Sequence, residues 1–134
     1  MNKKTIRIFI AVCLMLAMTS STAFARASHS HYFHCYITSQ DRVEKRSGHN
    51  PKCRISGHIV VSYNDEYSQY EVDLHDINFE RMNGDTSTYD YVPEYYDDDD
   101  HNKLHVYIVK DGKDVGYLYY RVTSSGRLKR SYHH

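Results

Sequence analysis

The sequence contains no tryptophan, only two prolines and six glycines, and three cysteines among its 134 residues. So little proline and glycine is not typical of collagen or of a low-complexity chain. Charged residues account for 25% of the chain and the types A, V, I, L, M, F, W, Y and C for 40%. These proportions exclude a globally disordered chain and a multi-span membrane protein. One globular domain with one core is therefore predicted.

The familiar catalytic motifs are also missing from the sequence. It has no G-x-S-x-G nucleophile elbow, no H-E-x-x-H zinc motif, no P-loop and no dinucleotide-binding fingerprint. Histidine, aspartate, glutamate and serine are plentiful, so a hydrolase whose site is assembled only in three dimensions remains an alternative. The sequence favours a protein that acts by binding over an enzyme.

One long apolar run, residues 8–18, lies near the N-terminus and is too short to span a bilayer. It has 11 residues, whereas a membrane-spanning helix needs about 20. Three basic residues precede the run, and an A-x-A cleavage pattern follows it at residues 23–25. Residues 1–25 are therefore predicted to be a secretory signal peptide, and residues 26–134 a single β-rich domain with no membrane anchor.

Export is expected to place the protein in the periplasm or outside the cell. None of the six asparagines begins an N-x-[ST] glycosylation site, which favours a bacterial source. Two cysteines, Cys35 and Cys53, remain after cleavage of the signal peptide and enclose 17 residues. In an oxidising compartment this pair is predicted to form one disulfide, which would stabilise the fold by about 3 kcal/mol.

The charge of the predicted mature domain is distributed unevenly along the chain. The domain has 14 basic and 17 acidic residues, a net charge of −3. Residues 65–100 contain 13 acids and one base, whereas residues 42–54 and the stretch from Arg121 are basic. Because the domain as a whole has no positive field, nucleic acid is not expected among its partners.

Alternation of apolar and polar residues, the pattern of a half-buried β-strand, recurs along the domain. No long helical periodicity follows the signal peptide. The predicted fold class is mainly β: a small antiparallel sheet, sandwich or partly open barrel of five to six strands, with one disulfide and little helix. The predicted strands cover residues 31–38, 55–63, 70–75, 104–109 and 115–122, with a weaker one over residues 88–92 that stops at Pro93.

The alternation also predicts the register of the second and third strands. Only one pairing places all their apolar residues on a common face, as a half-buried antiparallel pair requires. The pairs on that face are Tyr63–Tyr70, Val61–Val72 and Ile59–Leu74. After His75 the alternation changes parity, which predicts a bulge or bend near Asp76.

The pairing of the last two predicted strands stays open. Asp111-Gly112 between two apolar runs is a strong hairpin signal. A turn of two or four residues places the odd-numbered residues of 115–119 opposite the apolar residues of 104–108. A turn of three residues places the even-numbered residues of 118–122 there instead, and both faces are apolar.

Histidines form two candidate metal-binding sets. His29, His31 and His34 occur within six residues, and the register above places His58 opposite His75 on the outer surface. Imidazole nitrogens bind Zn²⁺ and Cu²⁺, and directly paired β-carbons about 5 Å apart suit two ligands of one ion. A periplasmic zinc- or copper-binding protein is therefore an alternative function, although the leading hypothesis requires no cofactor.

The leading hypothesis concerns an acidic, tyrosine-rich segment that is expected to form a loop over residues 80–102. Adjacent aspartates repel one another and should stay solvated, and the spacing of an EF-hand calcium loop is absent. Tyrosine offers rigid contact area at low entropy cost, while aspartates attract cations. The protein is thus predicted to bind a cationic protein, as an inhibitor or immunity protein would, or a glycan. The candidate binding residues are Tyr89, Tyr91, Tyr95, Tyr96, Asp97, Asp98, Asp99 and Asp100.

Overall fold

The computed structural model describes residues 28–97 and 99–134. The predicted signal peptide, residues 1–25, and the candidate binding residue Asp98 lie outside these described residues. The described residues form eight β-strands and no helix, and hence no helix able to cross a membrane. The strands are β1 (His29–Ile37), β2 (Val43–Glu44), β3 (Cys53–Asn64), β4 (Gln69–Arg81), β5 (Tyr89–Asp97), β6 (Asp100–Lys110), β7 (Lys113–Val122) and β8 (Leu128–His133).

The eight strands exceed the five to six predicted because two of them carry no alternation signal. β2 has only two residues, and β8 has the mostly polar sequence LKRSYH. Neither segment contains the run of alternating apolar residues by which a strand is recognised. Both strands form by pairing with a longer neighbour, β2 with β1 and β8 with β7.

The strands form two four-stranded antiparallel sheets that pack face to face. Their orders are β2-β1-β3-β4 and β5-β6-β7-β8. Side chains of both sheets contribute to one hydrophobic core, in which the rings of Phe33 on β1 and Tyr120 on β7 lie 5.7 Å apart between centroids. The strand alternation produces this core directly, since every second residue of β3 from Cys53 to Val61 is buried.

The predicted register of β3 and β4 is confirmed. Tyr63 pairs with Tyr70, Val61 with Val72, and Ile59 with Leu74. The predicted bulge is also present, because the register shifts by one residue between the Ser56 and His58 pairs. Asp76 has a φ of 58° at this point, a left-handed conformation that aspartate tolerates better than most residues.

The last hairpin combines a short turn with a bulge. Lys110 pairs with Lys113 around Asp111-Gly112, whose φ angles of 51° and 80° are both positive, as a type I′ turn requires. The register then shifts between the Ile108 and Val109 pairs. This shift exchanges the two faces of β7, so its even-numbered residues are the buried ones. A three-residue turn without a bulge would have given the same result. The buried residues of β7 are Leu118, Tyr120 and Val122.

The predicted disulfide is wrong, since Cys35 and Cys53 are both free thiols buried in the core. The register explains this: Cys35 pairs with Ile55, whereas Cys53 pairs with Ile37. The two cysteines are therefore diagonal neighbours rather than direct partners, a relation with α-carbons about 7–8 Å apart. A disulfide requires about 4.4–6.8 Å. Burial instead raises the pKa of each thiol to about 12.

Alkaline pH is expected to destabilise the fold through Cys35. Burial raises its pKa from 9.0 to about 12, so between these values the unfolded chain loses a proton that the folded protein retains. The free energy of unfolding then falls by about 1.4 kcal/mol per pH unit for this one group, and its contribution is complete below pH 9. Urea denaturation under reducing conditions from about pH 8 to 11 measures the decline.

Cys35→Val is the control for this effect, because valine fills a similar volume and does not ionise. The free energy of unfolding of the variant should fall less steeply with pH by that amount, because Cys53 and the tyrosines contribute equally to both proteins. Parallel slopes would show that the thiol is not protected from ionisation in the folded state.

Candidate functional site

The acidic tyrosine-rich segment is an edge strand rather than a loop. β5 pairs with β6 on one side only and continues through Pro93 to Asp97, beyond the predicted stop. Proline lacks an amide hydrogen, so it is tolerated in an edge strand, where that position faces away from the neighbour. Asp97 and Asp100 pair directly, which makes the segment one arm of a tight β5–β6 hairpin.

Two of the candidate tyrosines attach β5 to the opposite sheet. The Tyr89 hydroxyl donates to Asp85 Oδ2 at 2.7 Å, and its ring stacks on Phe79 of β4. The Tyr95 hydroxyl donates to the carbonyl of Val72 on β4, also at 2.7 Å. Burial raises the pKa of Tyr95 to about 12. These two side chains are committed to contacts within the fold.

The other two candidate tyrosines are exposed on β5. Tyr91 and Tyr96 are among the exposed large hydrophobic residues, with Val92 between them, and Tyr96 has 73% of its surface accessible. Lys103 Nζ lies 5.3 Å from the centroid of the Tyr96 ring, a cation–π contact. The Tyr91 ring lies on the face of β5 that also bears Tyr89 and Tyr95, with its centroid 6.3 Å from that of Phe79. β5 thus exposes two tyrosine rings in part, each with one contact within the fold.

One backbone amide on each of the edge strands β4 and β5 is capped by the carboxylate of the preceding aspartate. Asp90 Oδ1 accepts a hydrogen bond from the Tyr91 amide at 2.8 Å, and Asp73 Oδ1 accepts one from the Leu74 amide at 2.8 Å. Such caps protect an edge strand against pairing with another chain. Recognition at this edge therefore falls to side chains.

Most carboxylates of residues 65–100 belong to β4, β5 and the β5–β6 hairpin. The hydroxyl of Tyr95 on the carbonyl of Val72 shows that these two edge strands are neighbours. We call this surface the acidic side. Its described carboxylates on the two strands and on the β5–β6 hairpin are Glu71, Asp73, Asp76, Glu80, Asp90, Glu94, Asp97, Asp99 and Asp100. Its single base within residues 65–100, Arg81, donates to the carbonyl of Ser87.

Neither family models, curated proteins nor solved structures match this chain in comparisons with known proteins.

The histidines are divided between faces of the first sheet. His29 and His31 lie on the side of β1 that bears Phe33, and His34 lies on the opposite side. His58 and His75 are direct cross-strand partners, as predicted.

Each histidine of that pair has its own carboxylate neighbour. His75 Nε2 is 3.4 Å from Asp73 Oδ2, and His58 Nδ1 is 3.9 Å from Asp76 Oδ2. Within residues 28–97 and 99–134, no three His, Cys, Asp or Glu side chains form a group that could hold a metal ion. Zinc or copper binding stays a prediction.

A second surface, which sequence reasoning missed, lies on the outer face of β6, β7 and β8. The His105 ring is 4.7 Å from Tyr119 and 5.3 Å from Tyr117, and Tyr117 is 4.7 Å from His133, all between centroids. These rings line a shallow cavity of about 350 Å³, together with Tyr96 of β5 and Lys103 of β6. The alternation of β7 shows that Tyr117 and Tyr119 share a face, but only the bulge decides that this face is the outer one.

Proposed function

We propose that the chain is a small exported β domain that binds a cationic protein through its acidic side, in the manner of an inhibitor or immunity protein. Export is supported by the signal-peptide pattern of residues 1–25. The observation that carries the proposal is that β5, an edge strand with several carboxylates, exposes Tyr91 and Tyr96. The analogy to inhibitors is one of charge and shape, since fold alone assigns no function.

The acidic side has the two properties that such recognition needs. Tyrosine supplies rigid, amphipathic contact area at low entropy cost, and exposed aromatic residues are typical of the centre of protein interfaces. Carboxylates around it steer a cationic partner and raise the rate of encounter. Because Asp90 and Asp73 cap the backbone edges, the partner is expected to meet side chains rather than to add a strand.

A charge-removal variant with a matched control tests this proposal. Glu94→Gln/Asp99→Asn removes two charges from the acidic side, whereas Glu66→Gln/Asp114→Asn removes two exposed charges elsewhere. Proteins captured from periplasmic extract by the unmodified chain are purified, and their association rates are measured by surface plasmon resonance. We expect the first variant to bind a cationic partner about tenfold more slowly at low salt, with little change for the control.

The tyrosines provide the second arm of the test. Tyr96→Ser removes an exposed ring from β5, and Tyr67→Ser removes another exposed ring from the β3–β4 turn. Only the first change should speed dissociation of the partner. Equal capture by all four variants would reject the acidic side as the binding surface.

A glycan is the second candidate ligand, and the ring cluster on the outer face of β6–β8 favours it. Flat aromatic rings present an apolar surface to the C–H face of a sugar, while tyrosine hydroxyls and imidazoles hydrogen-bond to its hydroxyl groups. This candidate would be supported by an oligosaccharide that binds the protein, provided that Tyr119→Ala weakens the binding and Tyr67→Ala does not.

A further inference from the structure

A strand edge on the far side of the first sheet is left open. β1 pairs with β3 along its whole length, but β2 pairs with it only at Tyr36 and Ile37. The amide of Thr38 donates to the carbonyl of Arg42, so even-numbered residues of β1 direct their backbone groups toward this edge. Arg130 Nη1 donates to the carbonyl of Tyr32 there, at 3.4 Å. The backbone groups of His34 face the same edge without a partner among the described residues.

A groove runs along this open edge. It has a volume of about 550 Å³ and lies between β1, the residues that follow β2, and β8. This volume is within the range of about 300–1,000 Å³ that is common for ligand pockets. The rings of Tyr32, Tyr36 and Tyr132 contribute to its walls.

The groove is positively charged. Lys45 and Arg46 reach it from one side and Arg130 from the other, and no carboxylate of the described residues lines it. Within residues 28–97 and 99–134, none of these three cations forms an ion pair with a carboxylate. The two basic stretches of the sequence thus converge at one edge of the sandwich, on the opposite end of the sheet from β4.

We infer that this groove binds an extended peptide bearing carboxylates, which adds to the sheet as a strand beside β1. The peptide lies beside β1 where β2 no longer pairs with it, and its backbone forms hydrogen bonds with the unpaired amide and carbonyl of His34. Its acidic side chains reach Lys45, Arg46 and Arg130, where charge-assisted hydrogen bonds are short and strong. The contrast with β4 and β5 supports this assignment, because each of those edges has an amide that is bonded to the carboxylate of Asp73 or Asp90.

The first test measures the contribution of charge. A synthetic peptide of about nine alternating glutamate and valine residues, long enough to cover the open part of β1, is titrated into the protein by calorimetry at low salt. Arg46→Ala/Arg130→Ala should weaken binding by about tenfold per arginine removed. Arg127→Ala/Lys129→Ala removes the same charge from exposed positions outside the groove and should leave the affinity unchanged. If the Arg130 change unfolds the protein, Arg46→Ala alone serves.

The second test isolates strand pairing from charge. His34→Pro removes the outward-facing amide, while the bonds between β1 and β3, which use odd-numbered residues, stay intact. His34→Ala removes the same imidazole and keeps the amide. The proposal expects the proline variant to lose the peptide and the alanine variant to bind it.

Three results would overturn the inference. One is equal binding by the two His34 variants, and another is binding of glutarate, a small dicarboxylate, as tightly as the peptide. The third is a dimer of the protein alone, seen by analytical ultracentrifugation and abolished by Arg46→Ala. The occupant of the groove would then be a second copy of the chain.

Discussion

Alanine at Gly116 is expected to destabilise the protein by about 3 kcal/mol or more. Gly116 has a φ of 148°, a conformation that residues with a β-carbon rarely adopt. A β-carbon there would lie 2.3 Å from the carbonyl oxygen of His133 on β8 and 2.8 Å from Val43 Cγ2 on β2. Because the closer atom belongs to the backbone, a side-chain rotation cannot relieve the overlap and β8 itself must shift.

Gly112→Ala is the matched control for that prediction. Gly112 also has a positive φ, 80°, but a β-carbon added to it would meet no atom within 4 Å. It therefore reports the conformational cost alone, about 1 kcal/mol. Urea denaturation of both variants measures the difference. A Gly116 variant no less stable than the Gly112 variant would contradict the close packing of β2 and β8 around the β7 bulge.

Truncation of Phe33 to alanine is expected to cost about 3–5 kcal/mol. Phe33 is only 2% exposed, and its ring meets Tyr120 of the opposite sheet with centroids 5.7 Å apart. Loss of the ring removes this contact between the sheets and leaves a cavity that the surrounding backbone fills only in part.

The preceding residue supplies the control for Phe33. Tyr32 lies on the other face of β1 and is 51% exposed, so Tyr32→Ala should cost about 1 kcal/mol or less. Two neighbouring aromatic residues thus have very different expected effects, which thermal and urea denaturation resolve easily. Similar losses for both would show that β1 does not alternate between core and solvent as described.

The pairing of β3 with β4 could be predicted because only one register satisfies burial. If β4 slipped by one residue relative to β3, Val72 and the other apolar residues of β4 on that face would turn away from the core. The change of parity after His75 located the bulge for the same reason. In the last hairpin both faces of β7 are apolar, so burial alone does not distinguish the two possible registers with β6. The bulge in the structure decides between them.

Composition located the candidate site but did not show which of its tyrosines are exposed and which pack within the fold. Tyrosines and carboxylates in one segment indicate a recognition surface, and the exposed Tyr91 and Tyr96 agree with that use. Composition does not show that Tyr89 and Tyr95 contact β4, because the Phe79 ring and the Val72 carbonyl that they meet belong to a strand of the other sheet. The cysteine spacing misled in the same way, since spacing does not reveal a diagonal relation across two strands.

The sequence by itself determined a β-rich domain with an acidic central stretch and basic stretches on either side, since alternation and charge are properties of the chain. Only the tertiary structure decided that β4 and β5 share one side of the sandwich while residues 45–46 and Arg130 meet at another. The physical reason is that strand order and sheet packing join residues far apart in sequence. Local pattern carries no information about which of them become neighbours.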